Sequence, residues 1–163
     1  MKLKWHVFLI IALILLLSKL LLFSDLEIMG SRPDLLLILS IYVALRGRLY
    51  QAALAGFFLG FMRDVMTCEQ FGLFSFLYCS TNILFFKLRQ EMFIEHPLVP
   101  IGIVFLACFL CNFFHVCLIS LLYKVSPNLE LVIKLLIISA YTAFLTPFLI
   151  ISIKAILWEP CKK

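Results

Sequence analysis

The sequence lacks most of the patterns by which soluble enzymes and nucleic-acid-binding proteins are recognised. It has no glycine-rich phosphate loop and no basic stripe with interleaved aromatic residues, which argues against nucleotide or nucleic-acid binding. Glu95-His96 has no second histidine at helical spacing, so the zinc-protease motif is absent. No serine–histidine or cysteine–histidine pair comes with an orienting third group. We therefore predict no catalytic residue, no cofactor and no metal site.

Polar surface is scarce as well. The hydrophobic fraction of the 163 residues is 64 %, against about 45–50 % in an average soluble domain. A chain this short cannot enclose such an excess in one interior, because small domains bury the smaller share of their surface. The excess must face the lipid bilayer. No repeat, low-complexity tract or linker divides the sequence, so we predict a single transmembrane helical domain over residues 1–163.

The apolar runs predict an all-α polytopic membrane protein with about six transmembrane helices. The predicted spans are about 5–23, 33–46, 50–64, 71–86, 98–123 and 131–157. Pro33 and Asp34 are both favoured in a first helical turn, which marks the start of the second span. Spans two and three are short for a hydrocarbon core of about 30 Å. Snorkelling arginines or shielding by other helices would accommodate them, whereas a re-entrant hairpin would reduce the count to four.

Basic residues predict the orientation of the chain in the membrane. The first apolar run follows two lysines, as the apolar region of a signal peptide does. No small-x-small cleavage site follows the run, so we expect it to stay in the protein as the first helix, and its lysines count towards the charge of one face. With six spans, one face carries Lys2, Lys4, Arg46, Arg48, Lys87, Arg89, Lys162 and Lys163, and the other carries Arg32, Arg63, Lys124 and Lys134. The first face is the richer in positive charge, so both termini are predicted to be cytoplasmic.

Most of the six cysteines lie inside apolar runs, where cysteine behaves as a small hydrophobic residue. Cys108, Cys111 and His115 share one face of the fifth run, with Asn112 beside them. Cysteine and histidine can bind zinc, but a fourth ligand is not apparent. For the intramembrane polar residues Asn112 and His115 we favour an interhelical hydrogen bond. An intramembrane enzyme would require these side chains to line a water-filled cavity.

Small residues recur at every fourth position of the third run, at Ala52, Gly56 and Gly60, and the series continues into Asp64. A step of four residues turns a helix about 40° beyond a full turn, so the four residues form one slowly winding stripe. Such a stripe lets a neighbouring helix approach closely. The stripe is consistent with packing inside the bundle or with docking of a partner protein.

Four charged residues converge where the second run begins and the third ends, namely Arg32, Asp34, Arg63 and Asp64. Charges at a membrane boundary are costly unless they are paired. We predict cross-pairing of these charges, for example between Arg32 and Asp64. An architectural role and a binding role both remain open. The fourth run is the most polar, with Ser75, Ser80, Thr81 and Asn82, which indicates that it faces protein.

Three motifs follow one another in the first half of the chain: Arg32-Pro33-Asp34 with three leucines after it, the series Gly56, Gly60 and Asp64, and Gly72-Leu73 at the start of the next helix. In this order and spacing they resemble the MreD family of small polytopic membrane proteins. The resemblance covers roughly residues 30–90 by motif and the whole chain by length, span count and charge layout. Arg63 departs from the pattern, because an apolar residue is more usual at that position, and this leaves the pairing partner of Asp64 in doubt.

The resemblance implies a function and a set of partners. It implies a non-enzymatic scaffold of the bacterial elongasome that maintains rod shape and supports lateral peptidoglycan synthesis from the cytoplasmic membrane. The implied partner is an MreC-like bitopic protein, with MreB, RodA and a class B penicillin-binding protein reached indirectly. The implied fold is similar to the substrate-binding S components of energy-coupling-factor vitamin transporters.

An S component of a vitamin transporter is the alternative function, because such proteins are similar in size and span count. They usually carry an Ala-x-x-x-Ala signature in the first helix for their coupling subunit. The corresponding helix here has Ala12 as its one alanine. The scaffold is therefore the preferred hypothesis.

Overall fold

The computed structural model describes residues 5–21, 33–67, 72–89, 98–123 and 129–157, which form helices and no strands. The helices are α1 (Trp5–Leu21), α2 (Leu35–Arg46), α3 (Leu49–Thr67), α4 (Leu73–Leu88), α5 (Leu98–Tyr123) and α6 (Leu129–Leu157). The predicted all-α architecture is confirmed. Within the described ranges, two segments are long and apolar enough to cross a bilayer, Val99–Leu121 in α5 and Val132–Ile150 in α6. The six-span topology stays a prediction.

Helix α2 is the centre of the bundle. Every residue from Leu35 to Leu45 is buried, and α2 contacts α1, α3, α4, α5 and α6. Its 12 residues rise only about 18 Å, so exposure to lipid on all sides would leave the helix too short to match the hydrocarbon core. Because the other helices enclose α2, the helix does not have to match the thickness of the hydrocarbon core. This agrees with one of the explanations given for the short second span, namely shielding by other helices.

The start of α2 differs from the sequence prediction. Asp34 has φ −99° and ψ 80°, which are not helical angles, and the first helical residue is Leu35. Pro33 and Asp34 therefore precede the helix and do not form its first turn. The reason lies in the contacts of Asp34, whose carboxylate is turned towards side chains of α3 and α4.

Helix α3 has two distinct faces and is longer than the predicted span. The face on the protein interior carries Gln51, Ala52, Ala55, Gly56, Leu59, Gly60 and Asp64. The opposite face carries exposed apolar side chains, namely Leu54, Phe57, Phe58, Phe61 and Val65. The helix continues to Thr67 because Arg63 and Asp64 find partners inside the bundle, so charge does not end the helix there.

Candidate functional site

Asp34, Arg63, Tyr78 and Asn112 form a buried polar cluster, called here the Asp34 cluster, where α2 begins and α3 ends. Arg63 forms an ion pair with Oδ2 of Asp34, and the Tyr78 hydroxyl donates a hydrogen bond to the same oxygen. The Arg63 guanidinium also donates to the Tyr78 hydroxyl at 2.7 Å and to Oδ1 of Asn112 at 3.3 Å. Four elements of the bundle thus meet at one arginine.

Aromatic rings complete the environment of Arg63. Its guanidinium carbon lies 3.9 Å from the centroid of the Phe74 ring, a cation–π geometry. Phe74 in turn stacks on the His115 ring with centroids 4.3 Å apart. His115, singled out in the sequence, therefore supports the ring that covers the cation. The guanidinium is held by an ion pair, two hydrogen bonds and an aromatic face.

One oxygen of Asp34 is left over in this arrangement. Asp34 is only 2 % exposed, and its Oδ1 has no hydrogen-bond partner among the described residues. Its backbone N–H donates to the Thr142 hydroxyl of α6 at 3.1 Å. Because the carboxylate stands at the N-terminus of α2, the positive end of the helix dipole compensates part of its charge.

Asp64 has a different task from Asp34: it caps helix α4 from the end of α3. Its Oδ1 accepts a hydrogen bond from Phe74 N at 3.0 Å, and its Oδ2 accepts from Ser75 N at 3.0 Å and from the Ser75 hydroxyl at 2.7 Å. Gly72 N donates to Oδ2 at 3.2 Å. Gly72 has φ +94°, a left-handed conformation that glycine adopts without steric cost.

The predicted charge pairing can be compared only in part. Arg32 lies outside the described residues, so its pairing with Asp64 is untested. Among the described residues Arg63 binds Asp34, and Asp64 binds backbone N–H groups and the Ser75 hydroxyl. An arginine at position 63 is thus accommodated by the aspartate that precedes α2, and not by its neighbour in sequence.

The stripe of small residues on α3 packs against α4. A methyl group on Gly60 would lie 2.5 Å from Phe74 O, and one on Gly56 would lie 2.8 Å from Tyr78 O. Ala52 is fully buried, and its carbonyl accepts a hydrogen bond from Asn82 Nδ2 at 2.8 Å. In the structure these residues lie against α4 within the chain.

The polar residues of α4 mostly face protein. Ser75, Thr81 and Asn82 are buried, whereas Ser80 is exposed and donates to the Leu77 carbonyl within its own helix. Asn82 accepts a hydrogen bond from the Ser40 hydroxyl of α2 at 3.1 Å while it donates to α3. One amide therefore joins three helices at the level of Ser40.

The cysteines of α5 take part in the same kind of interhelical contact. Cys111 Sγ lies 3.1 Å from the Thr81 hydroxyl of α4, and Cys108 Sγ lies 3.8 Å from the Thr142 hydroxyl of α6. The Asn112 amide donates to the Cys108 carbonyl at 2.9 Å. In the part of the chain that the structure describes, no three histidine, cysteine or acidic side chains converge as metal ligands would.

Several residues of these networks were not predicted from the sequence, and Tyr78 and Arg89 are two of them. Tyr78 bridges Arg63 and Asp34, and its spacing three residues after Ser75 and four before Asn82 was a usable signal for the buried face of α4. Arg89 follows α4 and donates to the Leu45 and Gly47 carbonyls at 3.0 and 2.8 Å. No sequence pattern connects an arginine to the end of a helix more than 40 residues earlier.

Many exposed side chains of the described residues are apolar, and several of those on α3 and α4 are aromatic. Phe57, Phe61 and Phe76 are exposed and line a groove between the two helices, together with Gly72, Ser75 and Cys79. We call these three phenylalanines and the groove between them the aromatic face. A second groove lies between α5 and α6 and includes Phe113 and Leu121.

Comparison with known proteins identifies the family. A family model described as rod shape-determining protein MreD matches residues 1–159. The chain belongs to the MreD family. MreD proteins are shape-determining structural proteins of bacterial membranes, so the resemblance found in the motifs of residues 30–90 is confirmed over nearly the whole chain. No curated protein and no solved structure matches the chain.

The MreD motif residues have clear structural tasks in this protein. Asp34 holds Arg63 and Tyr78, Asp64 caps α4, and Gly56 and Gly60 let α3 and α4 approach closely. Gly72 supplies the left-handed turn before α4. These contacts join α2, α3 and α4, so the motif residues of this MreD protein take part in the core of the bundle.

Proposed function

We propose that this MreD protein is a scaffold subunit of the bacterial elongasome. It docks an MreC-like bitopic protein in the cytoplasmic membrane and thereby supports lateral peptidoglycan synthesis and rod shape. MreB, RodA and a class B penicillin-binding protein are reached through that partner. The observation that carries the proposal is the MreD family match over residues 1–159. With six spans, the excess of positive charge on one face supports an orientation with both termini in the cytoplasm.

The docking surface has to be a part of the bundle surface that other helices of the same chain do not cover. The Ala52, Gly56 and Gly60 stripe packs on α4 and is closed to a partner. Helix association in a membrane rests on close packing of exposed faces, since lipid is as apolar as leucine. The aromatic face offers both protruding rings and a groove for side chains of a second helix. We therefore assign docking of the single-span partner to Phe57, Phe61 and Phe76.

Replacing Phe57, Phe61 and Phe76 together by alanine tests this assignment. The full chain is co-expressed with the MreC-type protein of the same bacterium, and the amount of partner that co-purifies is measured. We expect at least a tenfold loss, because three exposed rings and the walls of the groove disappear together. Rod shape should also fail to return when the variant replaces the wild-type chain.

The matched control removes two exposed rings from another part of the surface, Phe144 and Phe148 of α6. This double alanine variant should co-purify with the partner as the wild type does. Thermal unfolding in detergent shows whether each variant is folded. Equal co-purification of the two variants would refute docking at the aromatic face. Absence of any association by the wild-type chain would refute the scaffold function itself.

A further inference from the structure

One end of the bundle carries a group of basic residues, called here the basic end. It consists of Arg46 at the end of α2, Arg48 in the turn before α3, and Lys87 and Arg89 at the end of α4. Arg46, Arg48 and Lys87 are exposed, and Arg89 is half-buried. Hydrogen bonds from Arg89 to the Leu45 and Gly47 carbonyls bring the ends of α2 and α4 together.

The turn that presents Arg46 and Arg48 is held in one conformation. Gly47 N donates to the Val43 carbonyl at 2.7 Å, and Arg48 N donates to Gln51 Oε1 at 2.9 Å. A methyl group on Gly47 would lie 2.7 Å from the Val43 carbonyl, so the turn fits closely against α2. The two arginines on either side of Gly47 are therefore displayed from a fixed backbone.

Arg89 is the internal part of this end. Its guanidinium lies 4.2 Å from the centroid of the Phe86 ring and also donates a hydrogen bond to the Gly47 carbonyl after α2. Burial lowers the pKa of Arg89 from its usual value, though an arginine stays cationic at neutral pH. Because Arg89 is bound to backbone carbonyls, the exposed charge available to a ligand comes from the other three residues.

The charge of the basic end is not balanced within the described part of the chain. The structure describes the side chains of two acidic residues, Asp34 and Asp64. Both lie at the end of the bundle opposite the basic end, where Asp34 binds Arg63 and Asp64 binds the start of α4. Three exposed cations at one end of the bundle therefore present a surface suited to a phosphate-bearing anion.

Apolar side chains next to the cations indicate which anion. Leu49, Tyr50 and Leu88 are 46 %, 54 % and 37 % exposed and belong to the same ends of α3 and α4. A tyrosine in this position is typical of the membrane interface. An anionic phospholipid offers a phosphodiester to the cations and a glycerol and acyl region to the apolar side chains, whereas a free phosphate would use the cations alone.

We propose that Arg46, Arg48 and Lys87 form a binding site for the headgroup of an anionic phospholipid, with Tyr50 and Leu49 contacting its glycerol and upper acyl region. The site is independent of the docking partner, because it lies on the isolated chain and uses none of the residues of the aromatic face. Its occupation fixes the α2–α3 turn at the membrane surface.

The test compares the purified full chain, without any partner, in its affinity for phosphatidylglycerol and phosphatidylcholine by calorimetric titration in mixed micelles. Each juxtamembrane basic residue contributes about 1 kcal/mol to attraction by anionic lipid, or about fivefold in affinity. Replacing Arg46, Arg48 and Lys87 together by glutamine should therefore reduce the affinity for phosphatidylglycerol about a hundredfold. Affinity for phosphatidylcholine should not change.

Two controls accompany this variant: one keeps the charge of the site, and the other removes a charge from a different part of the chain. The double variant Arg46→Lys and Arg48→Lys keeps the charge and should retain most of the affinity. Lys134→Gln removes one charge from α6 and should leave the affinity as in the wild type.

Three outcomes would overturn the proposal. Equal binding of the two lipids would do so, as would wild-type affinity in a folded triple glutamine variant. Competition by inorganic phosphate at the same concentration as the lipid would reassign the site to free phosphate. Loss of partner co-purification has no bearing on any of these outcomes.

Discussion

Arg63 shows how a charged residue is tolerated inside an apolar bundle. Its side chain is 14 % exposed and interacts with a carboxylate, a hydroxyl, an amide and an aromatic ring from other parts of the chain. A buried ion pair contributes little net stability by itself, but removing one partner leaves the other charge uncompensated. Replacing Asp34 or Arg63 alone should therefore cost more stability than replacing both residues together.

A double-mutant cycle at Asp34 and Arg63 tests this expectation. Either Asp34→Asn or Arg63→Gln alone should lower the free energy of unfolding by about 3–5 kcal/mol, because an unpaired charge stays buried. The double variant should lose clearly less than the sum of the two single losses. Unfolding of each variant in mixed micelles measures these energies. Additive losses would show that the two side chains do not stabilise each other.

A substitution at Gly60 tests whether α3 and α4 approach each other as closely as the structure shows. Gly60→Ala places a methyl group 2.5 Å from Phe74 O and from Ser75 Cα, so the helices must separate. We expect a loss of about 1–3 kcal/mol in unfolding free energy from this overpacking. Gly102→Ala is the matched control, since nothing lies within 4 Å of the added methyl and alanine favours the helix. A lower thermal midpoint for Gly102→Ala than for Gly60→Ala would contradict the packing described.

At the scale of elements, α4 depends on α3 for its first turn. The first N–H groups of a helix have no partner within the helix, and here Asp64 of α3 accepts hydrogen bonds from two of them and from the Ser75 hydroxyl. A carboxylate suits this place because all its neighbours are donors and because it faces the positive end of the α4 dipole.

Asp64→Asn should therefore destabilise the protein more than Ser75→Ala. The amide of asparagine brings donor hydrogens against the donors at the start of α4, with an expected cost of about 1–3 kcal/mol. Ser75→Ala removes a single hydroxyl and leaves the backbone N–H groups of Phe74 and Ser75 on the carboxylate, so we expect about 1 kcal/mol. Hydrogen exchange at the first turn of α4 measures both effects. Equal protection in the two variants would disprove the capping role.

The sequence predicts helices much better than it predicts their partners. Apolar runs indicated six helical segments, because hydrophobic length is a local property. The extent of α3 was underestimated, since Arg63 and Asp64 continue that helix only by virtue of partners on other elements. The link from Tyr78 to Asp34 joins residues 44 positions apart, and no local pattern contains that information.

The sequence predicted the charged members of the candidate site and Asn112, but it did not predict Tyr78 or the pairings. Asp34, Arg63 and Asp64 were recognised as convergent charges, and Gly56 and Gly60 as a close-packing stripe. Which aspartate binds Arg63 depends on where α2 begins and on the position of Tyr78, and both follow from the packing of the whole bundle. The role of Asn112 as a partner of Arg63 depends on α5 in the same way.

At the scale of the whole molecule, both the interior and the exposed surface of the described residues are largely apolar, and a minority of polar side chains lies inside. Buried polar side chains such as Asn82, Asp64 and Thr142 join the helices, while phenylalanines such as Phe76 and Phe144 cover the surface. This arrangement suits a family of membrane shape-determining proteins. Interactions with other membrane proteins then depend on helix faces, to which the alanine substitutions of the aromatic face are directed.

The enclosed position of α2 also governs the order in which the molecule can be completed. The ribosome delivers α2 well before α5 and α6, yet the N–H of Asp34 finds its acceptor on Thr142, 108 residues later. Until those last helices arrive, a leucine-rich helix of 12 residues lacks part of its enclosure. A chain that stops after α4 therefore leaves part of α2 uncovered, and we expect such a fragment to be less stable than the full chain.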